Sequence, residues 1–189
     1  MLTPWVNEGF FADVAVLVEG EDDRAAILGA ARVMGHDLDS GGIAVIPCVG
    51  KSNLDRPLVI FRQFKIPVYV MWDSDHGIDK AKPESNWYLL RLLAKKEDDW
   101  PNQAMENHAC FKVKLEQTLA DELGNELFDQ LLSEVQEELG IPKRGHALKN
   151  PIVLERVIAK AATKGKASSM LKKIVESIVT LKPNQPSTV

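Results

Sequence analysis

Apolar residues fall in two patterns along the chain, and the change between them comes near residue 115. Before it, short unbroken apolar blocks alternate with stretches of helical period; after it only the helical period is left. The block Val14-Ala15-Val16-Leu17-Val18 predicts a strand over 12–18, buried on both faces as in a parallel sheet. Similar blocks predict strands at 43–49, at 67–72, where Val68-Tyr69-Val70 is rich in strand formers, and at 109–113. Helices are predicted between them. One spans 3–11, with Thr3 as cap and Pro4 in its first turn. A second spans 22–33 and carries Ala25, Ala26, Leu28, Ala30 and Val33, with Gly35 just past its end. A third runs to about 64 from a start that Pro57 obscures, and a fourth covers 84–94. Beyond the change, helices are predicted at 116–139, 151–162 and 168–181, interrupted at Gly124, 141–150 and Gly165. Residues from 183 onward read as a frayed tail.

Strands alternating with helices imply a mostly parallel, three-layer α/β sheet over 1–114, followed by a helical domain over 115–189. In such a sheet, ligands bind beyond the carboxyl ends of the strands. Those ends read Glu19-Gly20-Glu21-Asp22-Asp23, Gly50-Lys51-Ser52, Asp73-Ser74-Asp75 and Lys114-Leu115-Glu116. Glu19 falls where the first strand stops, Gly20 is expected to permit a tight turn, and Asp23 lies one helical turn on. Asp73 and Asp75 are two apart, so on an extended segment they point the same way. Oxygens gathered like this repel unless a cation neutralises them, and hard oxygen donors select Mg²⁺ or Mn²⁺. Four or five such carboxylates suit two ions about 3.5–4 Å apart, the arrangement used for in-line phosphoryl transfer. A cap at the helix start can come from Asp22 or Asp23, where an acid is stabilising in any case, and Asp22 is assigned to the cap or to solvent. Lys51, at a strand end, is assigned to phosphate contact. Ser52 is assigned to a turn or cap, because no histidine has triad spacing to it. Of the four histidines, only His76 stands beside the Asp pair.

Charge adds an asymmetry that the net value of −4 hides. Residues 141–189 hold ten Lys or Arg against Glu155 and Glu176, a net +8, which leaves −12 on residues 1–140. This fits carboxylates that hold metal and lysines that hold a polyanion, and it fits equally a helical pair with a solvated lysine face. At 189 residues, 45% hydrophobic and 26% charged, the chain has enough apolar content for a core and too much for disorder. Cys48 and Cys110 stand alone, which excludes a disulfide scaffold and a zinc knuckle. The longest apolar run, Ile66 to Trp72, is seven residues with Pro67 inside it, far short of a bilayer span, and no signal-peptide pattern opens the chain. The reading is a cytoplasmic protein with no membrane partner.

The motif Leu17-Val18-Glu19-Gly20-Glu21-Asp22-Asp23, taken with Asp73-Ser74-Asp75, resembles the Toprim domain shared by topoisomerases, bacterial primases and several nucleases. With the Gly50-Lys51-Ser52 turn and the basic helical region, the chain is most similar to the catalytic C-terminal region of overcoming-lysogenization-defect (OLD) nucleases. The likeness covers roughly residues 10–116 and extends more loosely beyond. It implies a Toprim-type, Rossmann-like parallel sheet with flanking helices and an α-helical part after it. It also implies a DNA endonuclease that uses two Mg²⁺ ions, with Mn²⁺ as substitute. On this resemblance Glu19, Asp73 and Asp75 bind metal, Asp23 is a further ligand, and Glu116 matches a later acid. A lysine of the helical region, matched by Lys166 or Lys164, assists at the phosphate. The DNA backbone meets Lys51, Lys164, Lys166, Lys172 and Lys173. An ATPase domain precedes the nuclease region in that family. No GxxxxGK[ST] occurs here, so ATP would enter only through a separate domain.

Tyr69 belongs to a core strand and Tyr88 to a helix, so the exposed tyrosine nucleophile of a topoisomerase is missing. A primase would need a zinc-binding cysteine set and a longer chain. Two further readings stay open. One is a Mg²⁺-dependent phosphotransfer domain of the receiver or phosphatase kind; a receiver needs a lysine after a fifth parallel strand, and no fifth strand is found in the sequence. The other is a non-catalytic DNA-binding module with a relic metal site. Oligomeric state is not legible in these residues.

Overall fold

The computed structural model describes residues 4–182, so Thr3 and the tail from 183 lie outside the described residues. Five strands form one sheet in the order β2-β1-β3-β5-β4. They are β1 (Val14–Val18), β2 (Ile43–Pro47), β3 (Val68–Asp73), β4 (Gln103–Ala104) and β5 (His108–Phe111). All neighbours pair in parallel except β4 with β5. The mostly parallel sheet is therefore as the apolar blocks predicted. The edge strand β4 is a correction: a fifth strand does exist, but it is antiparallel, two residues long and carries no lysine. A two-residue strand is too short to leave a period in the sequence.

Period-two alternation divides β1 between two cores. Ala15 and Leu17 pack with α1 (Pro4–Gly9), α3 (Asp55–Gln63) and α4 (Glu84–Leu92) on one face. Val14, Val16 and Val18 pack on the other face with α2 (Glu21–Val33). That second core continues into α5 (Leu115–Leu123), α6 (Asn125–Leu139), α8 (Pro151–Thr163) and α9 (Ser169–Thr180). Residue 114 thus marks where strands give way to helices, while the apolar core runs across it. Pro57 falls in the first turn of α3, where its missing N–H has no helical partner to lose. The break expected at 141–150 contains a further short helix, α7 (Arg144–Ala147).

Gly29, in the middle of α2, is where α8 crosses closest. A Cβ there would lie 2.7 Å from the Glu155 backbone nitrogen and 3.0 Å from the Pro151 carbonyl oxygen. Backbone atoms cannot swing aside as a side-chain tip can. Gly29→Ala is expected to destabilise the fold by about 1–3 kcal/mol despite alanine's better helix propensity. A chemical-denaturation midpoint equal to or above that of the wild type would contradict this packing.

Candidate metal centre

The chain goes from β1 to β2 on one side of β1 and then crosses to β3 on the other, so the topological switch point lies between β1 and β3. A crevice opens beyond the carboxyl ends of strands at such a point. Glu19 follows β1 and Asp73 ends β3, and a hydrogen bond bridges the crevice from the Asp73 amide to Glu19 Oε2 at 3.1 Å. Asp73 Oδ1 accepts from the Leu115 amide at 3.0 Å, which ties β3 to the first turn of α5. Asp23 Oδ2 accepts from the Gly20 amide at 2.9 Å. Each of the three carboxylates therefore has an oxygen anchored on backbone. The cleft over them is about 430 Å³ and is lined by Glu19, Asp22, Asp23, Asp73 and Asp75, with Lys114 and Lys149 as its cations.

Crowding and burial dominate the electrostatics. Burial, and then the charges of Asp23 and Glu19, push the Asp73 carboxyl up to about 8. Burial, followed by the neighbouring Asp22, raises Asp23 to about 7. Burial raises Glu19 as well, against the Asp73 amide that draws it down. Among the described residues, no three His, Cys, Asp or Glu side chains are already drawn together around one ligand position. The donor set nonetheless fits a hard divalent cation: all its members are carboxylate oxygens, and the charge they lack is positive.

Several expectations from the sequence are revised. Extended geometry stops at Asp73; Ser74 is buried with its hydroxyl on the Pro101 carbonyl, and Asp75 has φ 64. Asp75 is turned to Lys51 Nζ at 2.6 Å, while still lining the cleft with Asp73 and acting by its charge on Glu19 and Asp73. Lys51 is thus bonded to a carboxylate and not presented to a phosphate. Gly20 is extended (φ −138), so a tight turn is not what requires glycine; a Cβ there would come 2.5 Å from Asp22 Oδ1. Of the two places expected for Asp22, helix cap or solvent, it takes solvent, and the helix-start bond is made by Asp23. Glu116 lines a smaller cavity beside Asp23 and Asp73, but its carboxylate is held by Arg144 at 2.8 Å. Arg144 also reaches Asp129 at 2.9 Å. His76 stands edge-on to Trp100, away from the cleft lining.

Lys164 and Lys166 do not line the cleft. Lys164 caps the far end of the 13-residue α8, so about 20 Å of helix separates it from Lys149 before the near end. Lys172 and Lys173 lie on α9, also outside the cleft lining. Lys149 and Lys114 are the lysines that sequence reasoning missed. Lys114 carried a signal, its place directly after a strand end. Lys149 carried none beyond the Asn150-Pro151 helix start that follows it. Tyr69 is fully buried and donates to the Met105 carbonyl oxygen, as a core strand residue should.

The sheet is mostly parallel, half-buried acids face each other across its switch point, and the fold is of the Toprim type. Residues 10–75 match the family model described as overcoming lysogenization defect protein-like, TOPRIM domain. A protein of Thermus scotoductus named OLD nuclease is 38% identical over 69 residues, covering 36% of this chain and 13% of that protein's length. The fold also matches the C-terminal region of the Burkholderia pseudomallei OLD protein at TM-score 0.57 and 21% identity, over 92% of this chain and 100% of that one. The C-terminal region of the Xanthomonas campestris pv. campestris OLD protein matches at TM-score 0.56 and 21% identity, over 92% and 95%. No helix among the described residues is long and apolar enough to cross a membrane.

Proposed function

We propose that this chain is the catalytic part of a metal-dependent DNA endonuclease that hydrolyses phosphodiester bonds in the cytoplasm, with Mg²⁺ as its metal and Mn²⁺ as substitute. The observation that carries the reading is the trio Glu19, Asp23 and Asp73, anchored on backbone amides across the β1/β3 switch point and crowded enough to need a cation. These three would hold the metal. When bound, a divalent ion supplies the Lewis acidity that activates water and offsets charge on the leaving oxygen. Lys114 and Lys149, the cations lining the cleft, would receive the scissile phosphate. Lys164, Lys166, Lys172 and Lys173 lie farther out and would bind flanking backbone without reading bases. A two-ion form, as the resemblance implies, needs Asp75 or Glu116 to exchange its protein cation for the second ion. The same resemblance carries a partner, an ATPase domain N-terminal to the nuclease region, through which alone ATP would act.

Supercoiled plasmid incubated with the purified chain is expected to be cleaved in Mg²⁺ or Mn²⁺ and to stay intact in EDTA. Undiminished cleavage in EDTA would remove the reading. The two lysine groups separate in a second experiment. Lys149→Ala is expected to slow cleavage of a short duplex by roughly tenfold or more, as loss of a phosphate-facing charge does. Lys164→Ala should leave that rate near wild type and lower only the salt dependence of binding to longer DNA, by about one in log–log slope. Equal effects of the two substitutions would contradict the placement of Lys149. Truncation before α8 is no substitute for these variants, because α8 and α9 supply part of the main core.

A further inference from the structure

Lys51 is built into the fold in a way a surface lysine is not. The turn that carries it leaves β2 through Gly50 at φ 113, and the Gly50 amide donates to the Glu19 carbonyl oxygen at 2.9 Å. The Lys51 side chain is only 10% exposed, and its ammonium donates to Asp75 Oδ2 at 2.6 Å and to Asn86 Oδ1 at 3.2 Å. Asn86 is itself fully buried and fully used. Its Oδ1 also accepts from Trp72 Nε1, and its Nδ2 donates to the carbonyl oxygens of Ser74 and Asp99. Those bonds fix which way the amide faces and so where the ammonium rests. Asp75 completes the arrangement by leaving the strand direction at φ 64, with its Oδ2 on the Lys51 ammonium. The Lys51 charge also acts on Glu19, drawing its carboxyl down.

We infer that Lys51 is an internal cation occupying the Asp75 side of the cleft, so that the DNA-free protein takes up one divalent ion, at Glu19, Asp23 and Asp73, and not two. The inference rests on the reading that those three carboxylates hold metal. A second divalent ion at Asp75 would have to share one carboxylate with an ammonium already at hydrogen-bond distance, and like charges that close repel strongly in a partly desolvated site. The ammonium cannot retreat without abandoning both oxygens that satisfy it. Asp75 is consequently a partner of Lys51 in the free protein and not a metal ligand.

The test is the number of Mn²⁺ ions bound by the full chain without DNA, read by isothermal titration calorimetry and by the paramagnetic resonance signal of unbound Mn²⁺. Wild type is expected to bind one ion, Lys51→Met two, and Lys51→Arg one. Lys51→Met leaves Asn86 Oδ1 bonded to Trp72 and exposes no new buried acceptor, so the fold should persist. A second variant does not touch Lys51 at all: Asp75→Asn is expected to bind one ion with nearly wild-type affinity. Loss of about tenfold or more there, as for removal of a ligand, would overturn the inference. Two ions on wild type would overturn it while leaving the carboxylate trio intact as a metal site. One ion on both wild type and Lys51→Met would remove the role of Lys51. No ion on wild type would remove the metal reading itself, and the inference with it.

Discussion

Asp73→Asn is expected to melt at a higher temperature than wild type when both are held in EDTA at pH 8. Asp73 titrates near 8 in the folded protein against an ordinary value of 3.8. An acid whose folded value is raised binds its proton more tightly when folded than when unfolded. Stability is therefore fully present below about pH 4 and falls as pH rises towards 8, by at most about 1.4 kcal/mol per pH unit for one such group. Asp23, raised to about 7, adds to the slope over most of the same window. Asparagine keeps an oxygen for the Leu115 amide and removes the charge that burial and its neighbours oppose. A gain on the order of 2–4 kcal/mol at pH 8, shrinking towards pH 4, is the expected result. A variant that melts below wild type across that range would mean that the acids are not in mutual strain.

Asp23→Ala and Asp22→Ala are expected to differ in cleavage by about 100-fold or more, although the two residues are adjacent. Asp23 is 7% exposed, faces Glu19 and Asp73, and also accepts the Gly20 amide at the start of α2. On the proposed metal role, its loss removes a metal oxygen and a helix-start bond together. The second alone costs about 1 kcal/mol, and relief of buried repulsion offsets it, so folding should stay close to wild type. Asp22 is exposed and accepts no hydrogen bond among the described residues, so Asp22→Ala should change stability by no more than about 0.5 kcal/mol. Cleavage rates and melting temperatures of both variants decide the matter. An essential Asp22 with a dispensable Asp23 would place the turn after Gly20 in the wrong register.

The parallel sheet was legible because β1, β2 and β3 are buried on both faces, which forces every position but the terminal Asp73 to be apolar. The acids at the ends of β1 and β3 were legible because polar residues directly after such blocks have few places to go except the carboxyl edge. What the sequence did not disclose is how side chains pair once they arrive there. The turn of Asp75 to Lys51 goes with a single positive φ, and residue spacing assumes that no such bend occurs. Capture of Asp75 by Lys51 and of Glu116 by Arg144 joins residues 24 and 28 positions apart, contacts that no local period records. Lys149 was hidden for a related reason: an excess of eight positive charges after 140 gives their sign but not which of them turns inward. Arg144, Arg156, Lys160, Lys172 and Lys182 are engaged in ion pairs, so much of that excess is already neutralised locally.

If the carboxylates at the β1/β3 switch point form the reaction centre of a metal-dependent nuclease, the single-turnover rate of plasmid cleavage in Mg²⁺ must separate wild type from Asp73→Asn, prepared and assayed side by side. The account predicts that wild type cleaves and that Asp73→Asn, the better-folded protein in EDTA, is slower by about 100-fold or more. Cleavage by Asp73→Asn at the wild-type rate would place the reaction elsewhere and contradict the account.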